Sequence, residues 1–182
     1  FNTTLIYIDR ILGGKILFSE MYHVSLKDLL RLRIKLGINY ANYFDLIYGD
    51  IHKEDFIKGH FSNELRERLC FDAASDEFQS ILFQVISYAI PISYIERFWF
   101  YKKMINNMPH HKALVSVVGW YLNTCFMFYA AESGMKGAKL IEVQHGGSYG
   151  QALLATSETQ ALNKDYYYTW GWKRDDSHKT IP

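Results

Sequence analysis

The sequence predicts a helix-rich α/β fold with a parallel sheet. Three segments carry this prediction: a β-branched run at residues 113–118, a helical pattern at about residues 121–134 and an apolar run at residues 139–143. A helical connection of this length joins parallel neighbours, and such crossovers are almost always right-handed. With 182 residues, 49% of them hydrophobic, the chain is long enough for one domain with a packed core. We interpret residues 1–182 as a single domain.

Strand and helix signals alternate in the first part of the chain. Residues 1–20 hold two runs of β-forming residues separated by a Gly-Gly pair, which allows a hairpin or a strand-turn-strand. A Ser-x-x-Asp capping pattern at residues 25–28 predicts the start of a helix that ends near Gly37. Residues 39–60 are aromatic and irregular, and we expect short helices and loops there.

Three helices are expected between these segments and the strand-helix-strand pattern. Ser62 can cap a first helix that runs through Leu69, and an amphipathic helix is expected from Asp76 to Ile90. A capping pattern at residues 93–96 predicts a third helix that runs to about Asn107. Its expected buried side chains are those of Ile95, Phe98, Trp99 and Ile105.

An aromatic segment at residues 166–172 predicts a further strand. By the period of two, one face of this strand would carry Tyr166, Tyr168, Trp170 and Trp172. We expect that face to be buried, because four aromatic side chains bring a large apolar area together.

Two charge-free runs, residues 78–95 and 113–131, approach the length of a membrane span. Polar residues interrupt both runs, and Pro91 ends the helix in the first. An amphipathic helix in the first run and a buried strand plus helix in the second are therefore preferred.

Charge and cysteine content limit the classes of partner and the compartment. A formal net charge of +1 provides no long-range field for nucleic acid or an anionic bilayer, so no nucleic-acid partner is expected. Cys70 and Cys125 have neither metal-ligand spacing nor a disulfide pattern, which favours a reducing, cytoplasmic setting. Because the chain begins at Phe1 and stops at Pro182 just after an aromatic strand, we expect it to be part of a longer polypeptide.

The turn at residues 144–150 is the main functional signal, because it joins a histidine and three glycines to the end of an apolar strand. Ligands of open α/β sheets bind beyond the carboxyl ends of the strands. Successive amides at Gly146 and Gly147 can bind phosphate, and His145 can act as a general base or, when protonated, as a partner for a diphosphate leaving group. The alternative is that His145 is a turn histidine hydrogen-bonded to the backbone.

Two further residues, Tyr149 and Glu158, are candidate site residues, and each also has a purely structural interpretation. Tyr149 can stack on a sugar or a base, or it can merely pack in a chain with 14 tyrosines. Glu158 can contribute to the site, or it can be a first-turn acid of a helix capped by Ser157. His110 and His111 lack a third metal ligand at suitable spacing, so no metal site is expected.

The residues around the turn resemble a family of bacterial surface-carbohydrate biosynthesis transferases. The resemblance covers about residues 109–172 and rests on a Gln-His-Gly-Gly-x-Tyr-Gly turn at residues 144–150, a downstream Glu158, and an Asp-Tyr-Tyr-Tyr-Thr-Trp-Gly-Trp segment at residues 165–172. It implies a GT-B-like fold of two facing Rossmann-type domains. This chain would be a partial, Rossmann-like, acceptor-side domain, and the donor-binding domain would lie outside residues 1–182.

The resemblance also implies an activity and a set of site residues. The activity is glycosyl transfer from a nucleotide-sugar to a carbohydrate or lipid-linked glycan acceptor during surface-polysaccharide biosynthesis, and the chain alone is expected to be inactive. The protein would be cytoplasmic, with at most peripheral membrane association at the inner face, no metal and no tightly bound cofactor. His145 is the candidate catalytic residue, and the candidate substrate- or phosphate-binding residues are Gln144, Gly146, Gly147, Tyr149 and Glu158.

Two other functions fit the same residues. A GT-B-like nucleotide-sugar epimerase or hydrolase would use His145 on the donor alone. A non-catalytic carbohydrate-binding module would instead use the tyrosines and tryptophans for recognition by stacking.

Overall fold

The structure is a computed structural model of the chain. It describes residues 15–21, 25–36, 39–40, 61–69, 73–147, 163–173 and 179–182. The chain divides into two compact units, one formed by Phe1–Tyr48 with Met108–Pro182 and one formed by Gly49–Asn107. The assignment of residues 1–182 to one partial domain of a longer chain remains a prediction.

The first unit contains a sheet of six strands, and each neighbouring pair is parallel. The strands are β1 (Ile16–Ser19), β2 (Asn39–Tyr40), β3 (Ala113–Ser116), β4 (Lys139–Val143), β5 (Tyr166–Tyr168) and β6 (Thr180–Ile181). Their order is β2-β1-β3-β4-β5-β6. The chain places β2 on one side of β1 and all later strands on the other side, so the strand order reverses between β1 and β3. The sheet confirms the predicted Rossmann-like α/β fold, and it aligns the carboxyl ends of the strands at one edge, where ligands bind in such folds.

The described residues form six α-helices and one 3-10 turn. They are α1 (Leu26–Leu36), α2 (Asn63–Glu67), α3 (Glu77–Ala89), the 3-10 turn (Ile92–Tyr94), α4 (Phe98–Ile105), α5 (Gly119–Leu122) and α6 (Thr124–Met135). The caps predicted at Ser25 and Ser62 are confirmed, because their hydroxyl oxygens accept backbone N–H groups at 3.2 and 3.3 Å. Asp76, where the third helix was predicted to begin, also caps it, because its carboxylate accepts the Gln79 N–H at 2.8 Å. The first β-forming run predicted within residues 1–14, and most of the short helices and loops predicted at residues 39–60, lie outside the described part of the chain.

The crossover between β3 and β4 confirms the predicted order of strand, helix and strand. The single helix predicted between the strands is divided into α5 and α6. The expected strand ends at Ser116, because the Ser116 hydroxyl accepts the Gly119 N–H at 3.0 Å and turns the chain into α5. Asn123 then adopts an extended conformation and caps α6, accepting the Phe126 N–H at 3.0 Å. A Cβ at Gly119 would lie 2.7 Å from the Phe126 ring, so this close turn requires glycine.

The third helix predicted between residues 62 and 107 begins later than its capping pattern indicates. Glu96 does not cap it; its carboxylate accepts from Arg66 Nε and Nη2 at 2.8 and 2.9 Å, and α4 begins only at Phe98. Ile105 is buried as expected, but Trp99 is 75% exposed and Phe98 is half-exposed. The burial prediction was wrong for these two residues because it assumed one continuous helix from residue 93.

The aromatic strand is shorter than predicted and buries its other face. β5 ends at Tyr168, and Gly171 takes a positive φ of 91° that only glycine adopts readily, which breaks the extended run. Tyr167 is fully buried, whereas Tyr166, Tyr168 and Trp170 are 41, 42 and 64% exposed. The prediction of a buried face at residues 166–172 was therefore wrong, although its period of two holds within β5.

The helix predicted over residues 76–90 forms as α3, but its apolar stripe is largely exposed. More than half of the surface of Phe78, Ile81 and Val85 is accessible. No helix in the described ranges is long and apolar enough to cross a bilayer. The cytoplasmic setting stays a prediction. Cys125 is fully buried in α6, and Cys70 lies outside the described residues.

Candidate functional site

The candidate site lies where β4 ends, at the edge of the sheet formed by the carboxyl ends of the strands. The structure describes Gln144, His145, Gly146 and Gly147 there. Tyr149 and Glu158 lie outside the described residues, so their roles remain predictions. The described part of the turn can be built up from the contacts that hold it.

Gln144 ties the turn to the residues that follow β5. Its Oε1 accepts the Trp170 N–H and the Trp172 indole Nε1–H, both at 2.8 Å, and its Nε2 donates to the Gly146 carbonyl. Its backbone N–H donates to the Tyr168 carbonyl at 2.8 Å. The side chain is buried with these partners, so the geometry gives it a positioning role; its predicted contact with substrate remains a prediction.

A second tie joins the beginning of the same two strands. The Asp165 carboxylate accepts the Leu140 N–H and the Lys139 Nζ–H, each at 2.9 Å, and the Asp165 N–H donates to the Leu140 carbonyl at 2.9 Å. Asp165 and Trp172 are the two ends of the aromatic motif. Polar side chains therefore fasten β4 to the aromatic motif at both ends, Asp165 at the beginning of the two strands and Gln144 of the turn motif at their end.

His145 and Gly147 are exposed, and Gly146 is half-buried. A Cβ added at Gly147 would meet no described atom within 4 Å, and the residue has no positive φ, so neither packing nor backbone strain requires glycine there. A glycine with open space above it leaves room for a ligand to approach the backbone. The described part of the turn thus exposes His145 and Gly147, while the buried Gln144 holds it in place.

A row of polar side chains, which sequence reasoning missed, crosses the sheet near the carboxyl ends of the strands. It lies at the last position of β1 and β3 and one position before the end of β4, β5 and β6. The row is in register across five strands and contains Ser19, Ser116, Glu142, Tyr167 and Thr180. All five residues are 2% exposed or less. The signal in the sequence was Glu142, a single acid inside the apolar run of a parallel strand, where both faces are normally covered.

Glu142 is the only carboxyl group in this row. Its Oε1 lies 3.1 Å from the Tyr121 hydroxyl of α5, and no described residue hydrogen-bonds to its Oε2. Burial raises the pKa of Glu142 to about 7, against the opposing effects of the Lys164 charge and the Tyr121 hydrogen bond. A carboxyl group that titrates near neutral pH therefore lies under the edge of the sheet, three residues before His145.

The chain was compared with families of related proteins, with curated proteins and with solved structures. The model of the LIC12162 family transferases matches residues 2–182. The chain belongs to this family. No curated protein and no solved structure matches it. Membership of this transferase family supports a transferase activity for the chain, which confirms the transferase part of the resemblance.

The LIC12162 family member has a pair of adjacent histidines, His110 and His111, at which the sequence predicts no metal site. His111 is buried, and its Nδ1 lies 2.6 Å from the Tyr129 hydroxyl, which in turn donates to the Pro109 carbonyl at 2.6 Å. Burial lowers the pKa of His111 to about 4, so the ring is neutral near neutral pH. Within the described ranges no group of three or more His, Cys, Asp or Glu side chains is placed to hold a metal ion. The expected absence of a metal remains a prediction.

Proposed function

We propose that this protein transfers a glycosyl group from a nucleotide-sugar to a carbohydrate or lipid-linked glycan acceptor in surface-polysaccharide biosynthesis. The observation that supports this most is the exposed turn of His145, Gly146 and Gly147, held at the carboxyl end of β4 by the buried Gln144. Membership of a transferase family supports group transfer, and the resemblance of the two motifs supports a sugar as the group.

The geometry suits an exchange of the bond at the anomeric carbon. The acceptor hydroxyl oxygen forms the new bond to that carbon while the bond to the nucleoside diphosphate breaks, and the diphosphate leaves with the electron pair. His145 takes the proton of the acceptor hydroxyl as general base. The amides at Gly146 and Gly147 lie beside it, and amide groups of such a turn stabilise the charge that develops on phosphate oxygens.

The open space at Gly147 supports a ligand that approaches the backbone itself. A side chain there would not disturb the described fold, yet it would occupy the room in which a diphosphate contacts the amides. Tyr149 and Glu158 are proposed to contact the sugars. The donor-binding domain is proposed to lie outside this chain, so the reaction is a property of the full-length protein.

A second candidate, a carbohydrate-binding module without catalysis, is favoured by one observation. Trp170 and Tyr168, whose backbones hydrogen-bond to Gln144, expose 64 and 42% of their surface, and exposed aromatic rings are suited to stacking on sugars. In that case His145→Ala would leave the function of the protein in cells intact. The epimerase or hydrolase alternative would act on the donor alone.

Product analysis separates these functions. The full-length protein is incubated with labelled nucleotide-sugars, with and without a glycan acceptor, and the products are identified by mass spectrometry. We expect a longer glycan and free nucleoside diphosphate only when acceptor is present. Conversion or hydrolysis of the donor at the same rate without acceptor would favour the epimerase or hydrolase, and glycan binding without any turnover would favour the binding module.

A further inference from the structure

Among the described residues, the Tyr121 hydroxyl has two acceptors for its one proton. Its oxygen lies 2.9 Å from the Val117 carbonyl oxygen and 3.1 Å from Glu142 Oε1. If Glu142 is ionised, only one of these contacts can be a hydrogen bond, because a single hydroxyl proton serves one of them at a time. If Glu142 is a carboxylic acid, its O–H donates to Tyr121, Tyr121 donates to Val117, and both contacts are hydrogen bonds.

The surroundings of the second carboxyl oxygen favour the same form. Glu142 Oε2 is buried, and no hydrogen-bond donor reaches it from the residues that the structure describes. A buried carboxylate with an oxygen left unpaired costs more free energy than a buried carboxylic acid. Among the described residues, the titratable and charged groups around Glu142 are Tyr121 from α5, Tyr167 from β5, and Lys164 from the segment before β5.

Lys164 acts against the neutral form but is itself partly withdrawn from water. Its ammonium group lies 4.9 Å from the centre of the Trp120 ring, and burial lowers its pKa while the charge of Glu142 raises it. The effect of burial on Glu142 is the larger one. The neutral carboxylic acid therefore agrees with both the proton count at Tyr121 and the burial of Oε2.

The turn after β3 depends on side chains of α5 for its hydrogen bonds. The Trp120 indole donates to the Ser116 carbonyl at 3.0 Å, Tyr121 bonds the Val117 carbonyl, and the Ser116 hydroxyl accepts the Gly119 N–H. These contacts fix the carboxyl end of β3, the strand next to β4. Loss of the Tyr121 bond to Val117 would loosen one of the three.

We infer that Glu142 is a positioning residue that, as a carboxylic acid, holds Tyr121 on the Val117 carbonyl and thereby fixes the turn after β3. Ionisation of Glu142 draws the Tyr121 proton to the carboxylate and releases the Val117 carbonyl. The edge of the sheet beside the His145 turn then becomes less ordered. The consequence for catalysis rests on the proposed function, but the change in the turn does not.

The test measures amide hydrogen exchange of the full-length protein without substrate between pH 5.5 and 8.5, corrected for intrinsic exchange. The probes are the N–H groups of Gly119, Tyr121 and Leu122, which are hydrogen-bonded within the turn and α5. We expect their protection to fall about tenfold as pH rises through about 7, which is the equilibrium effect of one hydrogen bond.

Two variants and a control make the test specific. Glu142→Gln keeps a donor for Tyr121 at every pH and should remain protected at pH 8.5, whereas Tyr121→Phe should have the lower protection at every pH. Glu132→Gln, which removes a carboxylate paired with Lys136 on α6, should behave as the unchanged protein does. The inference is overturned if Glu142→Gln has the same fall in protection with pH, or if Tyr121→Phe keeps full protection.

Activity gives the second measurement. In the transfer assay Glu142→Gln should keep its turnover above pH 7, while the unchanged protein loses turnover in the same range as protection. Absence of transfer by the unchanged protein would refute the proposed function and leave the exchange result valid. A pH profile of turnover that is identical in both proteins would refute the inference and leave the proposed function valid.

Discussion

Glu96 and Glu142 are both withdrawn from solvent, but their surroundings are opposite. Glu96, in the unit formed by Gly49–Asn107, accepts hydrogen bonds from two nitrogens of Arg66 and from the Ser62 N–H at 2.8 to 2.9 Å. These bonds lower its pKa to about 2, against the effect of burial. Glu142, in the unit that contains the sheet, has the single partner Tyr121 and an unbonded oxygen among the described residues, and burial raises its pKa to about 7.

The difference separates a carboxylate that holds a fold together from one that can change state. Arg66 also donates to the carbonyls of Ser87 and Ile90, so one ion pair joins α2, the end of α3 and the segment before α4. Both carboxylate oxygens of Glu96 accept hydrogen bonds from Arg66, and no proton needs to move. Glu142 keeps an unused acceptor under the edge of the sheet, where a change of protonation alters the hydrogen bonds of a neighbouring turn.

The largest expected effect is that of breaking the fully bonded pair. Arg66→Ala leaves the Glu96 carboxylate buried without its partner and removes the donor for two carbonyls, which should cost about 3 to 5 kcal/mol of unfolding free energy. Hydrogen exchange of α2 and α3 measures this locally. The control is Arg68→Ala, which removes an exposed pair with Glu64 and should change stability by less than about 0.5 kcal/mol. Equal effects of the two substitutions would contradict the structural role of Glu96.

The pH dependence of stability should have opposite signs at the two glutamates. The stability from Glu96 is present above pH 4.5 and is lost as pH falls towards about 2, because its pKa is lowered on folding. For Glu142, whose pKa is raised, stability is present below pH 4.5 and is lost as pH rises to about 7. The second loss should reach roughly 3 kcal/mol. Urea unfolding between pH 4.5 and 8 should detect it in the unchanged protein and find it absent in Glu142→Gln.

A smaller change in stability is expected when alanine replaces Gly119, where neighbouring atoms occupy the space for a Cβ, and none is expected at Gly147, where that space is open. Gly119→Ala places a Cβ 2.7 Å from the Phe126 ring and 2.8 Å from the Ser116 hydroxyl, and overpacking of this kind costs about 1 to 3 kcal/mol. Gly147→Ala meets no described atom and should leave stability unchanged while lowering the rate of transfer. Thermal unfolding and the transfer assay check both. Full activity of Gly147→Ala would show that no ligand approaches the backbone there.

A loss of one hydrogen bond is expected at Gln144. Gln144→Glu keeps an acceptor for the N–H groups of Trp170 and Trp172 but removes the donor to the Gly146 carbonyl, which should cost about 1 kcal/mol. Turnover should fall although the protein stays folded, because the released Gly146 carbonyl belongs to the turn that carries His145. If turnover is unchanged, the bond to Gly146 does not position the site.

Local patterns predicted the parts of the fold that are determined locally. The sheet around β3 and β4 followed from apolar runs of strand length, and the caps at Ser25 and Ser62 followed from short-range hydrogen bonding. The role of Glu96 could not be predicted. Its spacing from Ser93 suggests a helix cap, but its carboxylate pairs with Arg66, 30 residues earlier in the chain.

The candidate site was predicted in the same partial way. The position of the turn at the end of β4 followed from the strand pattern, but the contact of Gln144 with Trp172, 28 residues later, required the fold. The burial of Tyr167 in place of its neighbours depends on which face of β5 is covered, and a period of two does not specify this. Glu142 was visible as a lone acid in an apolar strand, yet only the register across the sheet gave it polar neighbours.

The most direct test of the central claim is the turnover number of His145→Ala in the full-length protein with nucleotide-sugar and acceptor. We predict a fall of several hundredfold, within the range for loss of acid-base assistance. The free energy of unfolding should stay within about 0.5 kcal/mol, because the side chain is exposed. The control His110→Ala removes another exposed histidine of the same unit and should keep full turnover. Unchanged turnover in His145→Ala would contradict the assignment of the reaction to this turn.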